Sequence, residues 1–179
     1  MATIELIIGS MFSGKSTELL RRCRTYEAIK KNIYMINHEV DIRCGNEIKT
    51  HDNSVYKATK CKLLTDLNIP KNIDVIAIDE AQFFPDIVDF IKHYEKLDYI
   101  ILIAGLDGDS NRNKFGFILD IIPYCNNVVK LHAMCSVCNN GTLGLFSKRY
   151  LAGLDDNNIV CVGAKEKYMS VCRKHYLID

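Results

Sequence analysis

The chain has 179 residues, 48% of them hydrophobic, enough for one main domain with a sizeable core and a small appendage. Lys and Arg number 23 against 22 Asp and Glu, and no long basic run exists, so a dominant nucleic-acid surface is not expected. The longest apolar run, Tyr99 to Leu106, is far short of the roughly 20 residues of a membrane span, and no basic segment leads into an apolar one at the N-terminus. A reducing, cytoplasmic setting follows, in which the eight cysteines read as thiols or metal ligands.

In chain order, Ile4 to Ile8 reads as a buried strand of a parallel sheet. It leads into Gly9-Ser10-Met11-Phe12-Ser13-Gly14-Lys15-Ser16-Thr17, and a helix-like segment runs from Thr17 to about Lys31. Strand, loop and helix in this order, with the spacing G-x-x-x-x-G-K-S, form a P-loop. Backbone N–H groups of such a loop curl around phosphate, and the helix N-terminus adds unpaired donors and a positive dipole end. Gly9 through Ser16 are therefore assigned to ATP and Mg2+, with Lys15 on the β- and γ-phosphates and the Ser16 hydroxyl on the cation. The motif names a nucleoside triphosphate but not its use.

In the following helix Leu19, Leu20, Cys23 and Tyr26 share one apolar face, while Arg21, Arg22 and Arg24 read as a solvated face. Ile33 to Ile36 is a second short strand. From Asn37 to Thr59 the chain is polar and irregular, a functional or mobile loop containing His51 and Asp52. Ile73 to Ile78 is an apolar strand ending in Asp79-Glu80, the form of a Walker B segment. Asp79 is expected near Mg2+, and Glu80 as a base or an orienter of the nucleophile. A helix beginning at Pro85 presents Ile87, Phe90, Ile91 and Tyr94 on one face. Phe83 precedes it, placed for ring stacking. Tyr99 to Leu106 is another buried strand, and the polar stretch Asp109 to Phe117, with Arg112, Lys114 and Phe115, is a candidate substrate loop. Asn127 to Met134 reads as the last core strand.

Beyond it the character changes. Cys135-Ser136-Val137-Cys138 and Cys172-Arg173-Lys174-His175 are two metal knuckles separated by 33 residues. They predict a tetrahedral Zn2+ site built from Cys135, Cys138, Cys172 and His175. The segment it closes is too small to bury much core, so a metal staple is physically reasonable. Within it Ile159 to Gly163 reads as a strand. Cys23, Cys44, Cys61, Cys125 and Cys161 have no partner spacing and read as ordinary thiols.

Together these features resemble the type II thymidine kinases, over nearly the whole chain. The resemblance rests on the phosphate loop, on Thr50-His51-Asp52, and on Asp79-Glu80-Ala81-Gln82-Phe83-Phe84-Pro85-Asp86. Leu106-Asp107-Gly108, Ser147-Lys148-Arg149, Tyr168 and Ser170-Val171-Cys172-Arg173 follow in order. It implies a RecA-like α/β core with a parallel sheet over residues 1–131, and a zinc-binding lasso domain over 132–179. It implies transfer of the ATP γ-phosphate to the thymidine 5′-hydroxyl, with Glu80 as base and Arg149 adding positive charge. Asp52, Asn53, Ser54 and Gln82 would join the ATP and Mg2+ set. Met11, Phe83, Leu106, Ser110 and Phe115 would line the base pocket. Main-chain groups of Ile159, Val160, Cys161, Val162 and Gly163 would bind thymine, and Tyr168 would approach the sugar. Feedback by dTTP and a homotetramer are further implications of the resemblance.

Three positions depart from the family pattern. His175 stands where many members carry Cys, and both suit zinc. Ser110 replaces a Phe, and Asn111-Arg112-Asn113-Lys114 replaces a Q-R-K-P sequence, which alters the pocket's shape. Two other readings stay open. Another P-loop nucleoside or nucleotide kinase is one, although a nucleotide acceptor calls for several arginines, and after the first helix only Arg43, Arg112, Arg149 and Arg173 exist. A zinc-ribbon DNA-binding ATPase is the other, and near-neutral charge argues against it.

Overall fold

The computed structural model describes residues 1–41, 47–49, 55–149 and 168–178. In chain order the elements are β1 (Thr3–Gly9), α1 (Lys15–Ala28), β2 (Ile33–His38), β3 (Glu47–Lys49), β4 (Val55–Lys57), β5 (Thr59–Cys61), β6 (Val75–Ile78) and α2 (Ile87–Tyr94). There follow β7 (Ile100–Leu106), β8 (Asn127–Leu131), β9 (Ala133–Met134), β10 (Leu143–Gly144), β11 (Phe146–Arg149), β12 (Tyr168–Val171) and α3 (Arg173–Leu177). Short 3-10 segments lie at Leu64–Asp66, Ala81–Phe83 and Ile118–Tyr124.

Six strands form one parallel sheet in the order β5-β2-β6-β7-β1-β8. The inner strands β6, β7 and β1 are covered on both faces and are mostly apolar, whereas the edge strands β5 and β8 carry more polar residues. Alternation of side chains assigns each residue to a layer. Ile4, Leu6, Ile8, Ile76, Ile78, Ile101 and Ile103 point to the layer of α2 and the Ile118–Tyr124 turn, packing on Phe84, Phe90 and Ile91. Ile7, Val75, Ala77, Leu102 and Ala104 point the other way, onto Leu19, Leu20 and Cys23 of α1. The fold is thus α/β, as the sequence predicts.

Glu5 lies on the α1 layer of β1, where a carboxylate needs a partner. Arg22 supplies it at 2.5 Å and also meets Glu18 at 2.8 Å; the Arg22 side chain is only 12% exposed. This corrects the solvated-face reading for Arg22. Arg21 and Arg24 are exposed as expected.

Three boundaries also shift. α1 ends at Ala28, and the chain turns through Lys30 at φ 61. The stretch read as irregular carries the end of β2, the antiparallel pair β3 and β4, and the start of the edge strand β5. The last core strand stops at Leu131, and Ala133–Met134 pairs instead with Leu143–Gly144 in a separate ribbon. β11 and β12 form another antiparallel pair, and these two ribbons frame the two cysteine knuckles. No helix among the described residues is long and apolar enough to cross a membrane.

Candidate active site

The phosphate loop begins where β1 ends. Gly9 has φ 151, and a Cβ there would lie 2.3 Å from the Leu131 carbonyl oxygen, so only glycine fits. Phe12 takes a left-handed φ of 64, and Gly14 (φ 83) opens α1. Lys15 Nζ donates to the Ser10 carbonyl at 2.9 Å, which holds the ammonium over the loop. Ser13 Oγ is buried without a hydrogen-bond partner among the described residues. A buried hydroxyl in a loop at a helix N-terminus suits an anionic oxygen acceptor. Ser16 stands in the first turn of α1.

The carboxylates arrive from β6. β7 lies between β6 and β1, pairing Gly9 with Leu106 and Ile78 with Ile103. Asp79 and Glu80 therefore leave the sheet at the same edge as the phosphate loop, the edge where open parallel sheets bind ligands. Asp79 is 2% exposed; its Oδ1 accepts from the Glu80 N–H at 3.0 Å. Glu80 sits at φ 53, a left-handed conformation that costs a non-glycine residue on the order of 1–3 kcal/mol. Gln82 secures it: Nε2 donates to Glu80 Oε2 at 2.6 Å, and Oε1 accepts from the Leu106 N–H at 2.9 Å. Gln82 is 3% exposed. Its amide thus spans Glu80 and the end of β7.

Around this edge stand aromatic rings. Phe83 meets Phe115 edge-on at 5.4 Å and His38 at 5.6 Å. Leu106, the last residue of β7, and Ser110 and Phe115 on the segment that follows are half-buried. The Asp109 carboxylate accepts from the N–H groups of Asn111 (2.9 Å) and Asn113 (2.8 Å), and Gly108 bridges Lys114, so this segment is a tight turn. His38 was not singled out by sequence reasoning, although the end of β2 belongs to the ligand-binding edge. Burial holds its imidazole below the ordinary range, and Nδ1 accepts from the Val40 N–H at 3.1 Å, so the ring is neutral. Tyr176 was missed as well. Its hydroxyl donates to the Ser110 carbonyl at 2.7 Å, and Arg112 stacks over its ring at 4.4 Å.

Cys135, Cys138, Cys172 and His175 converge, their ligand atoms all within 4.8 Å of one another. His175 Nδ1 faces three sulfurs, at 3.5 Å from Cys135, 3.3 Å from Cys138 and 3.4 Å from Cys172. Cys138 and Cys172 Sγ are 3.8 Å apart. Ligands at about 2.3 Å (sulfur) and about 2.0–2.1 Å (nitrogen) from a tetrahedral ion lie roughly 3.5–3.8 Å from one another. The cluster could hold zinc, with Nδ1 as the histidine ligand. Burial disfavours the Cys135 thiolate, but the N–H groups of Cys138 and Cys172, with His175, outweigh it and hold the thiol down to about 6. Burial pushes the Cys23 thiol up to about 12, and those of Cys61 and Cys125 up to about 11. Burial and its contact with Cys135 raise the Cys138 thiol, so within the cluster the lowered thiol is that of Cys135.

Tyr168 begins β12, half-buried and paired with Arg149. Arg149 Nε is buried without a hydrogen-bond partner among the described residues. Cys44, Thr50, His51, Asp52, Asn53, Ser54, Ile159, Val160, Cys161, Val162 and Gly163 lie outside the described residues.

A parallel sheet with a phosphate loop and two carboxylates at one edge defines a P-loop protein built to act on a phosphate-bearing ligand. The family model for thymidine kinase matches residues 2–176. The chain is 43% identical over 178 residues to the thymidine kinase of Sheeppox virus, covering 98% of this chain and 97% of that protein. It is 43% identical over 175 residues to that of Variola virus (97% and 96% covered), and 41% over 174 residues to that of Myxoma virus strain Uriarra (97% and 95%). The chain belongs to the thymidine kinase family and is a phosphotransferase.

Proposed function

We propose that this enzyme transfers the γ-phosphate of ATP to the 5′-hydroxyl of thymidine, giving dTMP. The observation that carries the reading is the junction at β7, where Leu106 is the register partner of Gly9 and donates its N–H to Gln82, whose amide in turn donates to Glu80. The phosphate loop and a fixed carboxylate then flank one reaction centre. Amides of the Gly9–Ser16 loop other than that of Met11, which Ser147 holds, bind the β- and γ-phosphates together with Lys15. Bound Mg2+ would neutralise phosphate charge; the Ser16 hydroxyl and the buried Asp79 are the residues to hold it, and Asp52, Asn53 and Ser54 would join the ATP and Mg2+ set. Glu80 takes the 5′-hydroxyl proton, and Gln82 keeps its carboxylate aimed. Phosphoryl transfer is mainly positioning and charge neutralisation, and Arg149 adds positive charge from β11.

The nucleoside base packs among Met11, Phe83, Leu106 and Phe115, and Ser110 forgoes the ring stacking that a Phe would give there. The segment Ile159 to Gly163 binds thymine through its backbone, and Tyr168 meets the sugar. Residues 1–131 form the kinase core and 132–179 the lasso domain. Zn2+ bound by Cys135, Cys138, Cys172 and His175 would crosslink the two ends of that domain. dTTP occupies both subsites and competes with both substrates, and the working form is a cytoplasmic homotetramer. The test is a kinase assay with ATP and a panel of nucleosides and nucleoside monophosphates. Thymidine should be phosphorylated in preference to the purine nucleosides and to dTMP. A preference for a monophosphate acceptor would point to a nucleotide kinase.

A further inference from the structure

The cysteine cluster and the phosphate loop are joined by hydrogen bonds. Ser147 Oγ, on β11, accepts from the Met11 N–H at 2.9 Å. One residue earlier, Ser10 Oγ donates to the carbonyl of Gly144, on β10, at 3.0 Å. Ser10 and Ser147 are 3% and 6% exposed, so water does not replace these bonds freely. From there the contacts continue to the metal ligands. Ser147 is the register partner of Ser170, whose hydroxyl donates to the same Gly144 carbonyl at 3.2 Å. The Ser170 carbonyl accepts from the N–H of Ser136 at 3.0 Å and from its hydroxyl at 3.1 Å. Ser136 follows Cys135 directly, and Cys172 comes two residues after Ser170.

A phosphate loop works by presenting its N–H groups in one fixed curl. The N–H of Met11 is spent on Ser147, which fixes the peptide plane in the middle of that curl. We propose that Ser147 is a positioning residue of the phosphate loop. Through it, zinc occupancy of the Cys135, Cys138, Cys172 and His175 cluster and MgATP binding are energetically coupled. The inference rests on the reading of the loop as the MgATP site. Coupling of equilibrium binding is reciprocal: if zinc tightens MgATP by some factor, MgATP tightens zinc by the same factor.

The test uses the full chain under reducing conditions. A fluorescent ATP analogue with Mg2+ is titrated into zinc-loaded and zinc-free protein. Zinc affinity is measured by competition with a chromophoric indicator, with and without MgATP. In the unmodified protein both routes should give one factor, about fivefold or more. Ser147→Ala should bring it close to one and weaken nucleotide binding about fivefold, the size of one lost hydrogen bond. Ser147→Thr, which keeps the hydroxyl, should restore both. If Ser147→Ala fails to fold, Ser10→Ala, which cuts the neighbouring bond to Gly144, takes its place with the same expectation. Equal nucleotide affinity with and without zinc would overturn the inference, as would a coupling factor unchanged in Ser147→Ala. Failure of the zinc-loaded protein to bind the nucleotide at all would overturn the phosphate-loop assignment itself.

Discussion

Gln82 holds Glu80 by a 2.6 Å hydrogen bond while its other amide atom is fixed to the Leu106 N–H at 2.9 Å. A carboxylate on a left-handed residue would otherwise be poorly aimed. This clamp fixes the direction of the Glu80 carboxylate at the sheet edge, as the base proposed for the transfer requires. Glu80→Gln should therefore lower kcat roughly 10²–10⁴-fold, the range for loss of a general base, with nucleotide binding little changed. Turnover near that of the unmodified enzyme would remove Glu80 from the chemistry.

Gln82→Met keeps the side chain's length and deletes both hydrogen bonds. It should reduce kcat about tenfold or more with a small change in KM, because the group it positions acts in the transition state rather than in binding. Stability should fall by about 1–3 kcal/mol, since the Leu106 N–H loses its buried acceptor. Steady-state kinetics with thermal unfolding checks both, and a change confined to KM would place Gln82 in substrate binding instead.

Which parts of this were legible in the sequence follows from how local each signal is. β1, β6 and β7 are contiguous apolar runs, and the phosphate loop and the cysteine knuckles are carried by spacing within a few residues. β5 is three residues, Thr59 to Cys61, the first two of them polar, and it pairs only at the sheet's edge. Such a strand is defined by its neighbour and not by its own periodicity. The Ile118–Tyr124 turn contains Pro123, which conceals its helical character. Arg22 was read as solvated because its partner Glu5 sits in another element, 17 residues away. The bonds from Ser10 and Met11 to Gly144 and Ser147 span more than 130 positions, beyond any local pattern. The contact between the phosphate loop and the segment that carries the zinc ligands is therefore visible only in the fold.

The hydrogen bond and charge of Arg21, joined by Arg22, outweigh burial and hold Glu18 down at about 2, against 4.5 for a free glutamate. A depressed carboxylate adds stability that is complete above the unfolded value and is lost as pH falls from 4.5 toward 2. Glu18→Gln should cost about 1 kcal/mol at neutral pH, since Arg21 is largely exposed, and should flatten the acid limb of the stability curve. Denaturant unfolding between those pH values measures it. An unchanged acid limb would mean that the pair contributes nothing.

His175→Cys should keep one Zn2+ per chain, because four thiolates suit the tetrahedral ion as well, whereas His175→Ala should weaken zinc binding by about tenfold or more. Metal analysis after dialysis against a weak chelator separates the two. Full zinc retention in His175→Ala would remove Nδ1 from the ligand set.

The central claim is that phosphate passes from ATP to a nucleoside 5′-hydroxyl at the edge shared by Gly9, Leu106 and Glu80. It is tested most directly by identifying the product of ATP with thymidine, beside 5′-deoxythymidine, which lacks the acceptor oxygen. ADP and thymidine 5′-monophosphate should form in equal amounts, with no phosphorylated product from 5′-deoxythymidine. ADP released without phosphorylated nucleoside, or phosphate carried elsewhere on the sugar, would contradict it.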